Sequence, residues 1–477
     1  MENVYQGIPI VLFCCLGFYY AYKCSLAGKY TYALSLVVLC GLVLRSYTSM
    51  DMFLHAWDER YHALVAKNML QHFLVPTLYN NPVQRYDYTS WASNSIWLHK
   101  QPMTLWLIAI SLKCFGINEF AVRIPSIIMS TIGIKLIYDI TKFLADKRSA
   151  LLTAFLFSIQ GFIIELTAGR DATDHVDIAF LFFILLAVWC AVQYARSSKW
   201  IYNPLTGICI GLAMLCKWLP ALIVLPIWCI LASAFKKDNY KLISTNLLDI
   251  LVFAACIALP WQLYILHTFP KEAMWEYRFN QRHIGEALEG HNENFFYYFE
   301  SLRIRYGELI YLPVLWYTYK TIQKKQPANV LMSVWFWVVI LFFSFAKTKM
   351  PGFIIIASPA ILFMSASFFF MIKDSKQANT GLMYLSRVIM FGLIALPIRY
   401  TIERVKPFTD MDRDPAWAQA LRSLQHGRFD ADKVILFNCP HPIEAMFYLH
   451  CTAYDNMPDS TLKTALITKG YDVEVFK

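Results

Sequence analysis

Asp58 and Glu59 stand side by side at the start of a polar stretch that His99 and Lys100 close. Apolar segments long enough to cross a bilayer flank that stretch on both sides. A carboxylate in such a place can take the proton of an attacking hydroxyl. An ammonium can hold or neutralise an anionic group beside it. A base candidate and a cation candidate are therefore held near one membrane face. Each also has a plain structural reading. The acids could cap and open an Arg60–Leu70 helix, worth about 1 kcal/mol at the cap. Lys100 could be an anchor reaching out from the end of a span.

Other reactive side chains cluster in a few places. Tyr61 and His62 follow the acids on the same helix, as interface anchors or ligand contacts. The run Gly169-Arg170-Asp171-Ala172-Thr173-Asp174-His175 packs charge beside the start of a span, where ionisable groups are functional candidates by default; a local ion network with a helix cap is the alternative. The stretch 267–305 carries Arg278 and Arg282, whose guanidinium geometry suits a phosphate. It also carries His283 and His291, readable as ligands, acid–base groups or plain surface histidines.

The elements that must position these groups are apolar. The 477 residues are 57% hydrophobic and 16% charged, against about 25% charged in soluble domains. Apolar runs of roughly 17–25 residues predict an all-α polytopic membrane protein with about 12–14 transmembrane helices. Positive loops set its orientation. Lys23 and Lys29, Arg196 and Lys199, Lys236, Lys237 and Lys241, Lys320, Lys324 and Lys325, and Lys373 and Lys376 all fall on one side, read as cytoplasmic. Residues 50–101, 168–173, 267–305, 347–351 and the tail after 400 then share the outer face. This scheme contains a parity conflict. Three apolar runs separate 50–101 from 168–173, and Asp146-Lys147-Arg148 reads as cytoplasmic. Either a run within 102–144 fails to cross or one hides an extra half-span.

Residues 401–477 differ from the membrane part, 1–400. Val434–Phe437 reads as a strand, Pro442–Leu449 as a helix opened by proline, and 461–469 and 471–475 as a further helix and strand. This predicts a small soluble α/β domain on the outer face. Most of the 12 cysteines lie in apolar runs without metal-ligand spacing and read as small buried hydrophobes; whether Cys439 and Cys451 pair stays open. No small-residue cleavage site follows the first apolar run, so no cleavable signal is expected. The net charge of +10 comes without a basic stripe on a soluble domain, which argues against nucleic acid.

An acidic pair soon after an early span, then a Tyr61–Leu70 helix, then Lys100-Gln101-Pro102 opening a span, resembles the polytopic glycosyltransferases that use lipid-phosphate sugars: the protein O-mannosyltransferase and aminoarabinose transferase relatives. The segment from Phe115-Gly116-Ile117-Asn118-Glu119 to Arg123-Ile124-Pro125-Ser126 resembles the same family's next turn, and looser echoes reach about residue 360. The resemblance implies a C-type membrane fold. It implies transfer of a sugar, with inversion, from a polyprenyl-phosphate donor to an acceptor at the outer face. That acceptor would be a lipid A-like glycolipid, a cell-envelope glycan or a protein hydroxyl. It implies a bacterial inner-membrane protein with a periplasmic site. It makes Asp58 the general base, its pKa raised by the apolar boundary, with Glu59 in support. It turns an acid of the 169–175 run toward the cavity, Asp174 before Asp171. It gives Lys100 to the donor phosphate, with Lys349 of the Lys347–Phe353 turn as a second cation. The turn ending at Lys217 is read as structural.

Three departures stand out. His99 replaces an acid found in some aminoarabinose transferases, where metal has been placed, Lys100-Gln101-Pro102 replaces the family's usual Lys-Pro-Pro, and Phe353 replaces a tyrosine. The sequence therefore neither requires nor excludes a divalent metal. A transporter or flippase for an anionic lipid or solute is the rival from another class. It would want the same inward charges, but the repeated halves usual in transporters are not visible.

Overall fold

The computed structural model describes residues 2–375, 380–424 and 430–476, and Lys376 lies outside these described residues. Among these, nine helices are long and apolar enough to cross a membrane, and ten if the pair Lys147–Ser158 and Gly161–Thr167, bent by 49°, is one span. The helix Asp174–Ser197 runs through the middle, with Phe180, Ile184, Leu185, Val188 and Ala191 all buried. Ile134 and Ile137 of the Glu119–Leu144 helix, and Ile210 and Ala213 of the Tyr202–Lys217 helix, complete the core around it. Lipid is as apolar as leucine, so helix association needs close contact and small residues. Gly207 and Gly211 supply it. Spaced four apart, they press one face of Tyr202–Lys217 onto Tyr240–Thr268, and a Cβ at either would collide with that helix.

Three of the apolar runs form helices shorter than a span usually needs. Pro102–Phe115, Tyr202–Lys217 and Tyr311–Lys324 have 14, 16 and 14 residues. Fourteen residues reach only about 21 Å, against a hydrocarbon core of about 30 Å. Tyr202–Lys217 nonetheless runs back along Asp174–Ser197, because Lys217 at its end bonds Asp177 near the other's start. Pro102–Phe115 behaves differently. Its Leu105, Ile108, Ala109 and Leu112 share one core with Leu64 and Val65 and with Phe437 and Phe447 of the tail. The chain turns at Gly116, φ +84°, and then reaches Glu119, which accepts a hydrogen bond from Tyr448 Oη of the tail at 2.7 Å. Both ends of this helix lie on the tail's side, so it does not cross. That removes the parity conflict: Glu119–Leu144 crosses one way and the bent pair returns.

The positive segments collect at the opposite end. Lys147 lies over the Tyr30 ring and Arg148 pairs with Asp374 at 3.0 Å. The tail carries β1 (Asp430–Phe437), β2 (His450–Ala453) and β3 (Asp472–Val475), all parallel in the order β2-β1-β3. The four residues of β2, His-Cys-Thr-Ala, show too little alternation to be read as a strand from sequence. The tail also grips the loop beneath it. Lys67 Nζ donates to the carbonyls of Met446, Phe447 and Leu449 at 2.7–3.0 Å, a cation on the open C-terminal end of the Pro442–Tyr448 helix.

Candidate active site

Asp58 opens the helix Asp58–Asn68 but does not cap it; Trp57 holds the capping position without a side-chain bond. Asp58 Oδ2 instead accepts from the backbone N–H of Thr173 at 2.8 Å. That bond joins the polar loop to the start of the Asp174–Ser197 helix, so the positive ends of two helices meet at one carboxylate. Lys100 Nζ lies 3.6 Å from the same oxygen. One turn after Asp58, His62 Nδ1 faces Asp174 Oδ1 at 3.0 Å. Both residues are fully buried, and the far atoms of the pair, His62 Nε2 and Asp174 Oδ2, have no hydrogen-bond partner among the described residues. Asp177, one turn further, accepts from Lys217 and from Thr173 Oγ1. The Lys217 ammonium sits over the Phe353 ring at 4.8 Å. Gly352 abuts this knot, since a Cβ there would strike Asp177 and Thr173.

Glu59 points the other way, into a closed ion network. Arg123 donates to it from Nε at 2.7 Å and from a terminal nitrogen at 2.9 Å, and His55 Nδ1 lies at 2.6 Å. Asp51 continues the network, with Arg170 at 2.8 Å, Arg413 at 3.1 Å and His55 Nε2 at 3.1 Å. Glu59 is thus an anchor for the start of the Asp58 helix, with no free oxygen left for a substrate.

The electrostatics correct one expectation. Burial pushes the Asp58 carboxyl up, as the apolar boundary implied. The opposing pull of Lys100, His62, His99 and the Thr173 N–H is larger in sum and leaves it well below the usual carboxylate range. Burial likewise opposes the charge on Lys100, but Asp58, Glu289, Asp174 and Asp177 outweigh it and hold Lys100 above the ordinary lysine value. The resting site therefore holds an ionised pair.

Other candidates lie apart from this centre. Asp171 accepts from the neighbouring Ala172 N–H, and burial raises its carboxyl. Tyr61 packs edge-on against Trp91 and under Arg60, toward the tail. His99 stacks on Trp91 at 5.0 Å and comes within 3.5 Å of Glu276. Arg278 is exposed, and Arg282 is exposed and paired with Glu286. His283 Nδ1 lies 3.0 Å from the carbonyl of Phe279, and burial lowers its pKa. His291 is half-buried and its carbonyl accepts from the Lys349 N–H. Lys349 is buried and donates to the Ala346 carbonyl at 2.5 Å, closing the end of the Pro327–Phe345 helix. Among the described residues, no three or more His, Cys, Asp or Glu side chains converge as a metal-holding set, so no step below is routed through a metal. Sequence reasoning missed Asp177, Arg123 and the placement of Lys217. The single signal for Asp177 was its spacing of three from Asp174 on one helix face.

The sequence profile of the dolichyl-phosphate-mannose-protein mannosyltransferases matches residues 99–264. The undecaprenyl phosphate-alpha-4-amino-4-deoxy-L-arabinose arabinosyl transferase of Pseudomonas paraeruginosa is 25% identical over 387 residues, which is 74% of this chain and 63% of that protein. The chain is thus similar in sequence to proteins that use lipid-phosphate sugars. It shares its fold with solved structures. ArnT from Cupriavidus metallidurans, bound to undecaprenyl phosphate, superposes with a TM-score of 0.62 at 15% identity, covering 92% of this chain and 89% of that one. The oligosaccharyltransferase AglB of Archaeoglobus fulgidus, in complex with an inhibitory peptide and a dolichol-phosphate, gives 0.56 at 13% identity, covering 89% and 64%. The apolar helices and these relatives make the chain an integral, multi-pass membrane protein. It covers about half to two thirds of the length of the curated relatives it matches, namely 65%, 49% and 63%.

Proposed function

We propose that this protein is a membrane glycosyltransferase that moves a sugar from a polyprenyl-phosphate donor to an acceptor, with the site on the periplasmic face of a bacterial inner membrane. The observation that carries this reading is the Asp58–Lys100 pair, 3.6 Å apart where the polar loop meets the helix array. The activities of the sequence relatives, and the lipid phosphates bound to the structural ones, support it.

The chemistry follows from the charges. The donor phosphate competes with Asp58 for Lys100 and takes up its ammonium. Asp58 then loses the neighbour that depresses its proton affinity, at the moment a base is needed. The acceptor oxygen attacks the anomeric carbon from the face opposite the phosphate. The bond from that carbon to the phosphate oxygen breaks, the phosphate keeps the electron pair, and the acceptor proton passes to Asp58. The sugar configuration inverts. Asp174 and His62 lie buried beside this centre, with two hydrogen-bond positions that no described residue fills. The acceptor is a glycolipid such as lipid A, an envelope glycan or a protein hydroxyl.

The test is incubation of the purified protein with radiolabelled polyprenyl-phosphate sugars and fractionated envelope acceptors. Label in an acceptor with release of the lipid phosphate is expected. Movement of intact donor between leaflets of a vesicle, with no release from any donor, would overturn the reading in favour of a flippase.

A further inference from the structure

The positively charged end of the helix array carries a cleft of about 440 Å³ that the site chemistry does not use. Two spans wall it. Glu119–Leu144 contributes Asp139, Lys142 and Phe143, and Asp174–Ser197 contributes Trp189, Val192, Gln193 and Arg196. Its floor is tied across the two helices by the Trp189 indole N–H, which donates to Asp139 Oδ2 at 3.3 Å. Asp139 also pairs with Lys135 at 2.5 Å, so its charge is answered from outside the cleft. Lys142 and Arg196 are exposed and have no acidic partner among the described residues, although carboxylates and carboxylate-paired cations crowd the opposite end.

One cation in the last turn of a helix is what the helix dipole favours. The dipole does not ask for two such cations, from neighbouring spans, at the mouth of an open cleft with an indole at its base. Basic pockets between spans at the positively charged membrane face suit anionic headgroups, and an indole suits the headgroup level. We propose that this cleft binds the phosphate headgroup of an anionic phospholipid, held by Lys142 and Arg196 with its upper acyl carbons along Trp189, Val192 and Phe143. The site is separate from the donor site, which lies at the other end of both helices, and does not depend on the transfer reaction.

The test uses the full chain in nanodiscs and by native mass spectrometry, with phosphatidylglycerol against phosphatidylcholine. Wild-type protein should retain phosphatidylglycerol preferentially and melt higher in it. Lys142→Gln with Arg196→Gln should weaken that binding about thirtyfold, from a factor of about five for each cation near the surface. Lys199→Gln with Lys237→Gln, at the same membrane end and with the same charge loss, should keep it. The melting temperature in phosphatidylcholine alone shows whether each variant folds; if the double variant does not, either single variant should show a loss of about fivefold. Equal retention in wild type and variant, equal loss in the control, or full competition by inorganic phosphate at equal concentration would each overturn the proposal.

Discussion

Lys100 Nζ and Asp58 Oδ2 stand 3.6 Å apart, so a single ion pair joins the cation assigned to the donor with the carboxylate assigned to the acceptor. Removing either partner changes the other, and the two effects have different readouts. Lys100→Ala should weaken polyprenyl-phosphate binding by roughly 10–100-fold, the range for loss of a charged hydrogen bond. Lys100→Arg should restore part of it, because a planar fork does not replace a compact ammonium. Titration calorimetry measures both.

The pH dependence has a definite sign. Asp58 must be ionised to act, and its pKa lies below the usual carboxylate range. Activity is therefore present above that depressed value and is lost as pH falls through it, so wild-type kcat/KM should hold into the acid region. Lys100→Gln removes the strongest of the charges that depress it, and the acid limb should move up toward neutral pH. A limb that stays in place in Lys100→Gln would detach it from Asp58.

Asp58→Asn separates chemistry from folding. The amide oxygen can still accept from the Thr173 N–H, 2.8 Å from the carboxylate, so the local fold should be kept, with a lowered melting temperature because Lys100 loses its paired charge. Transfer should fall about 10²–10⁴-fold, the usual cost of losing a general base, while donor binding persists. Asp58→Ala should in addition lose about 1 kcal/mol of stability with that hydrogen bond. Normal transfer by Asp58→Asn would send the search to Asp174.

Glu59→Gln should fail in the opposite way. Its partner Arg123 is fully buried, with 0% exposure, and breaking a buried pair by removing one charge costs about 3–5 kcal/mol. A large drop in melting temperature and yield is expected, with specific activity largely kept in whatever fraction folds. A stable but inactive Glu59→Gln would make Glu59 part of the chemistry.

The Pro102–Phe115 helix makes a topological prediction. With the exposed native cysteines Cys15, Cys114 and Cys256 changed to serine, Ile117→Cys should react with an impermeant thiol reagent from the same side as a cysteine at Asp455. Ala145→Cys should react only from the other side. Labelling of positions 117 and 145 from one side would restore the crossing.

Much of this was legible in the chain because it is local. The acidic pair, Lys100 before a proline, the apolar runs and the strand at Val434–Phe437 each announce themselves within about ten residues. What was hidden is what distance in sequence hides. Arg123 and Glu59 are 64 positions apart, and no pattern tells a buried guanidinium from one at a span end. Lys217, read as a structural turn, gains meaning only when the helix Tyr202–Lys217 folds back to Asp177. Pro102–Phe115 has the composition of a span, and its failure to cross comes from length and from what packs on it. The direction of the Asp58 shift is the reverse of the expected one because burial acts on one residue at a time, whereas the groups that reverse it arrive from three different segments.

Arg413, 362 positions after Asp51, donates to its carboxylate and to the Tyr47 carbonyl, and its own carbonyl accepts from the Met52 N–H. At a synthesis rate of about 5–20 residues per second, that partner emerges roughly 20–70 seconds after the loop it secures. For that interval the nascent chain sits in the bilayer with its central residues unfastened. The fastening of the Asp51 loop is thus completed only after the last of the described spans, Thr380–Val405, has been made.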